Sequence, residues 1–156
     1  MIFEEEFKEI TSSNEFIKFK EKNPLSFLSG VFILGTNFQF DFYNPENEKI
    51  GSFTFIGNDI KTEESDVFKK ENNKVKQLNL DKVKINLNNI KKLMSSLLDK
   101  YNQKSNREIT ILQQDEFPIW NVSYLTEQFK LLHVKINAIN GKIIEEKLEN
   151  IMSFKV

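Results

Sequence analysis

The chain has no cysteine and a single histidine in 156 residues. The first absence removes disulfide bridges, thiolate metal sites and a cysteine nucleophile together. The second leaves His133 without another imidazole to share a metal, and no serine or cysteine stands beside it at a recognisable nucleophile elbow. His133 sits between Leu132 and Val134 in an alternating run, so its side chain points away from theirs and reads as structural or solvent-facing. Glycines are few: Gly30, Gly35, Gly51, Gly57 and Gly141 are scattered, without the clustering ahead of a helix that a phosphate cradle needs. They read as turn and bulge positions.

A charge of one sign is lacking as well. Lys and Arg number 22 against 23 Asp and Glu, so no overall field favours nucleic acid or an anionic membrane. The longest apolar run is Val31-Phe32-Ile33-Leu34, far short of the roughly 18 residues that span a bilayer. The opening Met1-Ile2-Phe3-Glu4-Glu5-Glu6-Phe7-Lys8 is acidic and amphipathic, where a secretory signal carries positive charge and then a continuous apolar stretch. The expected location is therefore the cytoplasm. With 39% hydrophobic residues, the chain is long enough to bury one core, as a single domain or as two small halves sharing an interface.

What is present is mostly scaffold. Phe3, Phe7 and Ile10, then Phe16, Ile17 and Phe19, recur at spacings of three and four and predict one helix or two short ones. Ser12 with Glu15 resembles a capping box, a helical restart is expected at Ser13, and Asn23-Pro24 stops the helix. Phe38, Phe40 and Phe42 then alternate with Asn37, Gln39 and Asp41, Asn44-Pro45-Glu46-Asn47 supplies a turn, and Ile50, Phe53 and Phe55 follow. Residues 37–57 are thus a hairpin. Residues 61–74 are polar, anchored by Val67 and Phe68, and read as a loop or edge segment carrying a short strand.

Residues 78–85 are extended or irregular. Asn86 or Asn88 then caps a helix with apolar positions Leu87, Ile90, Leu93, Met94, Leu97, Leu98 and Tyr101. Strands are expected at 109–113, 119–125, 131–138 and 142–148, with Pro118 at a strand start and Asn140-Gly141 as a tight hairpin turn. Trp120-Asn121-Val122-Ser123-Tyr124 and the run from Leu132 form a meander with one buried face. The order, helix then strands twice over, predicts an α+β architecture of helices on antiparallel sheets, divided into halves 1–75 and 76–156.

The second half resembles a PepSY domain, a small cystatin-like helix-and-sheet module, over about residues 78–148. The likeness is carried by the Leu-x-Leu-Asp-Lys-Val-Lys-Ile stretch at 78–85, the helix from Leu87 to Tyr101, Trp120 and Val122, and Ile136-Asn137-Ala138-Ile139-Asn140-Gly141 leading into Lys142-Ile143-Ile144. Asn137 and Asn140 stand where the family usually has Asp and Thr, which keeps the turn and removes one carboxylate. Phe40-Asp41-Phe42-Tyr43-Asn44-Pro45 looks like the strand and turn of a degenerate copy. The resemblance implies two cystatin-like halves and the binding or restraining of a peptidase or another protein, without catalysis.

No catalytic constellation stands beside this. The pairs Glu63-Glu64, Asp115-Glu116 and Glu145-Glu146 are adjacent in sequence, so their carboxylates diverge, and Asp41, Asp59, Asp66 and Asp81 lack calcium-loop spacing. No catalytic residue, cofactor, metal or nucleic-acid partner is expected. The fifteen phenylalanines read as core, because base-stacking sheets flank their aromatics with Lys and Arg. The working expectation is a non-catalytic protein-binding or peptidase-restraining module. The alternative is a small-molecule binder or enzyme with a Phe-lined pocket between helix and sheet, marked by Tyr124, His133 or a carboxylate pointing inward. Dimerisation through an exposed edge strand is compatible with either.

Overall fold

Three glutamates in the first turn favour the positive end of α1, Glu4–Thr11, and Ser12 closes it. The restart at Ser13 holds, but the expected box at Ser12 and Glu15 does not. Ser13 is the N-cap of α2, Asn14–Lys22, its Oγ accepting from the Phe16 amide at 3.2 Å. Asn23 ends α2 ahead of Pro24, donating its side-chain amide to the Phe19 carbonyl. The computed structural model describes residues 2–67 and 74–151, so the anchor assigned to Phe68 lies outside the described residues.

Four strands follow: β1 Phe27–Leu34, β2 Asn37–Asn44, β3 Lys49–Ile56 and β4 Asp59–Asp66. After a single turn of 3-10 helix at Leu80–Lys82 comes α3, Leu87–Lys100, then β5 Ser105–Gln114, β6 Pro118–Thr126, β7 Lys130–Asn137 and β8 Ile143–Asn150. Asn86 caps α3 reciprocally with Asn89, each side chain accepting the other's amide. All eight strands form one antiparallel sheet in the order β4-β3-β2-β1-β5-β6-β7-β8. Each meander follows its own helical segment, and their first strands meet at the centre, from Gly30 opposite Gln113 to Leu34 opposite Ile109.

One row of side chains crosses the whole sheet: Thr62, Phe53, Phe40, Val31, Leu112, Trp120, Ile136 and Ile143 stand opposite one another in turn. Its six inner members are at most 1% exposed, each worth about 2 kcal/mol of burial. The helices cover this face. Phe3 meets Phe38 at 5.3 Å and Trp120 at 6.1 Å between ring centroids, Phe16 meets Phe42 at 4.8 Å, and Phe19 meets Phe53 at 5.3 Å. Ile90 and Met94 of α3 are fully buried. Phe38, Phe40 and Phe42 therefore face helices.

Three expectations need correction. Phe27–Leu34 is a strand at the sheet centre, not anticipated from its composition. β4 is a full eight-residue strand where only a short one was expected. The Asn140-Gly141 turn is wider than a two-residue hairpin: Ala138, Ile139, Asn140, Gly141 and Lys142 all lie between β7 and β8. Gly141 has φ 79°, which favours glycine there. No helix among the described residues is long and apolar enough to cross a membrane.

Candidate functional site

The motif residues form a clasp between the second meander and the segment leading into α3. Trp120 is fully buried and donates its indole N–H to the Ile85 carbonyl at 2.9 Å. Val122 and Ile136 are fully buried beside it in the sheet. Ala138 donates its amide to the Pro118 carbonyl, and its own carbonyl accepts from Lys84 and Ile85, each at 2.9 Å. Asn137 Oδ1 accepts from the amides of Ile139 at 2.8 Å and Asn140 at 3.3 Å, while Asn140 Oδ1 accepts from Lys142 at 2.9 Å. At residue 137 one side-chain oxygen accepts both of its amides, so amide and carboxylate serve equally there.

The supposed second copy of this motif sits elsewhere. Phe40 to Asn44 belongs to β2 and Pro45 to the turn into β3, whereas Asn137 to Gly141 joins β7 to β8. Counted from the first strand of each half, these are different connections. Tyr124, 4% exposed, lies opposite Glu108 on the helix-covered face, and burial, then Glu108, pushes its phenol up to about 12.

The opposite face carries no helix among the described residues, and it holds a contact that was not read from the sequence. Ser123 and His133 stand opposite each other on β6 and β7, with Ser123 Oγ 2.9 Å from His133 Nδ1. Register alone would have found this pair, because both strands alternate and both residues fall on the outward side. Lys147 lies opposite His133 on β8. Glu145 is held low chiefly by its hydrogen bond from Lys147, at 2.8 Å.

Asp41 occupies the same outer face and is 6% exposed. Its Oδ1 accepts from Ser52 Oγ at 2.7 Å and Gln39 Nε2 at 2.9 Å. Burial raises its pKa against those two bonds. The adjacent acidic pairs diverge. Glu63 meets Lys61 at 2.9 Å and Glu64 meets Lys49 at 3.3 Å, while Glu145 meets Lys135 and Glu146 meets Lys100 and Tyr101. Among the described residues, no three His, Asp or Glu side chains are grouped to hold a metal ion.

Gly51 departs from the turn-and-bulge reading. It lies inside β3 where the Phe19 ring rests directly on the backbone, and a methyl group there would stand 2.4 Å from Phe19 Cε2.

Under α1 and α2 a cavity of about 500 Å³ opens against β1 and residues 77–80. Phe7, Phe16, Leu28 and Phe42 line it, with Lys20 also in its wall, donating to the Ser26 carbonyl at 2.6 Å. Tyr124, His133 and carboxylates are not among its lining residues.

No protein-family model matches the chain, and no curated protein matches its sequence. Among solved structures it is similar to the "putative lipoprotein" from Clostridium difficile 630. The TM-score is 0.54 at 12% identity, over 87% of this chain and 91% of that one. At that identity the likeness is one of fold: helices on one face of an open antiparallel sheet.

Proposed function

We propose that this chain is a non-catalytic protein-binding module that restrains a peptidase or another protein along an edge of its sheet. The observation that carries the reading is the sheet's openness: among the described residues it ends in two strands, β4 and β8, each paired on one side only. β4 is exposed at seven of its eight positions. An unpaired strand offers a row of main-chain donors and acceptors to an extended segment of another protein, and side-chain pockets add selectivity. The PepSY-like pattern of residues 78–148, with 1–75 and 76–156 as two cystatin-like halves, supports a restraining role. On this reading the clasp of Trp120, Val122, Ile136, Asn137, Ala138, Asn140 and Gly141 is a structural support, and the Ser123–His133 contact pins two strands.

Titration of the purified chain into a thermolysin-type peptidase tests this reading. Support is a stoichiometric loss of peptidase activity with the chain left intact. Absence of inhibition, together with absence of a complex by light scattering, counts against it.

The cavity favours a second reading, a small amphiphile with an apolar body against the phenylalanines and an anionic head on Lys20. Its volume falls in the usual range for ligand sites. Saturable 1:1 binding of dodecanoate that weakens in Lys20→Glu supports this, and unchanged calorimetric baselines oppose it.

A further inference from the structure

We infer that β8 is a self-association edge, at which two copies of this chain pair antiparallel about Glu146. This goes beyond the peptidase reading, which β4 alone can satisfy.

Pairing with β7 fixes which β8 side chain faces where. Glu145 and Lys147 stand opposite Lys135 and His133 on the helix-free face, and Glu146 and Leu148 stand opposite Val134 and Leu132 on the helix-covered face. Joining two β8 edges around a two-fold axis normal to the sheet keeps each face continuous. A residue can then oppose only residues of its own face.

Centring the axis on Glu146 satisfies both faces at once. On the open face Glu145 opposes Lys147 of the partner subunit, twice by symmetry. On the other face Leu148 of each copy comes beside the bulge at Ile144 of the partner subunit, where Ile143 and Glu145 flank one step of β7 between Ile136 and Lys135. Ile144 is 50% exposed in the single chain. The two central Glu146 carboxylates arrive already compensated, each with its own Lys100 at 2.9 Å and a hydrogen bond from Tyr101.

Neighbouring registers fail this test. Centring on Lys147 sets that lysine against its own copy and Glu145 against Glu149. Centring on Glu145 sets that carboxylate against its copy and Ile144 against Glu146. β4 offers no equivalent match: the register that puts Lys61 opposite Glu63 sets Ile60 against Glu64 and leaves Asp59 and Asp66 in excess. Charges on an edge commonly ward off pairing. Here their order along β8 complements itself.

Light scattering on the full chain over a concentration series tests the proposal. The mass should rise from 18.4 kDa toward twice that value. Glu145→Lys and Lys147→Glu should each weaken association by on the order of tenfold, because two attractive pairs become repulsive. The double variant restores the complement and should dimerise again. An equimolar mixture of the two single variants should form a heterodimer, with thermal melts confirming that each variant is folded. A mass of 18.4 kDa at the highest soluble concentration overturns the proposal. So does a dimer indifferent to both single reversals.

Discussion

Replacing Gly51 by alanine gives a sharp test of how α2 lies on the sheet. The added methyl would stand 2.4 Å, 2.7 Å and 3.1 Å from three atoms of the Phe19 ring, where carbon contacts settle near 3.5–4.0 Å. The ring must retreat by roughly 1 Å to restore that spacing. Phe53, Phe16 and Phe42 flank it at centroid distances of 5.3, 6.2 and 6.4 Å, and its remaining side borders an opening of about 350 Å³ that Gly51 also lines. Gly51 is not in the left-handed region, so alanine brings no backbone strain. By itself it would gain about 0.4–1 kcal/mol from the stiffer unfolded chain. Overpacking costs about 1–3 kcal/mol, and because the ring has the opening on one side the low end applies, so the expected net loss is about 1 kcal/mol. Urea unfolding of Gly51→Ala, Phe19→Leu and the double variant measures it. The alanine should cost less by at least about 0.5 kcal/mol once the ring is gone. A Gly51→Ala protein as stable as its parent would refute the placement of Phe19 on β3.

Other expectations follow from the clasp and the charged groups. Trp120→Ala should cost about 3–5 kcal/mol in the same assay, and Trp120→Phe about 1–2 kcal/mol, mostly from the Ile85 carbonyl left without its donor. Asp41 has a raised pKa in the folded chain, so its contribution to stability is full below the ordinary value of 3.8 and declines as pH rises through the raised value. Asp41→Asn keeps the Ser52 and Gln39 bonds to Oδ1 and should flatten that decline, making the variant at least as stable as the parent at pH 7. Glu146 behaves oppositely. Tyr101 first, then Lys100, holds its carboxyl below 4.5, so its contribution is present above that value and is lost as pH falls through the depressed one. Carboxyl NMR titration of Tyr101→Phe should find Glu146 moved upward.

Legibility in the sequence followed burial. Where one face is covered and the other wet, alternation shows, and β2, β3, β6 and β7 were readable to within a residue or two. β1 lies between two other strands at the sheet centre, with Phe32 on one face and Val31 and Ile33 on the other, so no period of two marks it. β4 fails for the converse reason: an edge strand exposed at seven of its eight positions carries one apolar residue, Ile60, and one residue makes no alternation. The Asn140-Gly141 turn was located by its glycine. Its width came from tertiary bonds, with Ala138 drawn to Pro118 and to residues 84 and 85. The Ser123–His133 contact joins residues ten apart in the chain and needs strand register to be seen.

The account rests on two meanders forming one sheet, closed at the β1–β5 seam and open at β4 and β8. Residue-resolved amide hydrogen exchange by NMR addresses both features together. Amides of residues 30–34 and 109–113 should rank among the slowest in the chain, and alternate amides along β4 should exchange fastest of the strand amides. Fast exchange along the seam, with protection retained inside each meander, would mean two separate small sheets and would contradict the account.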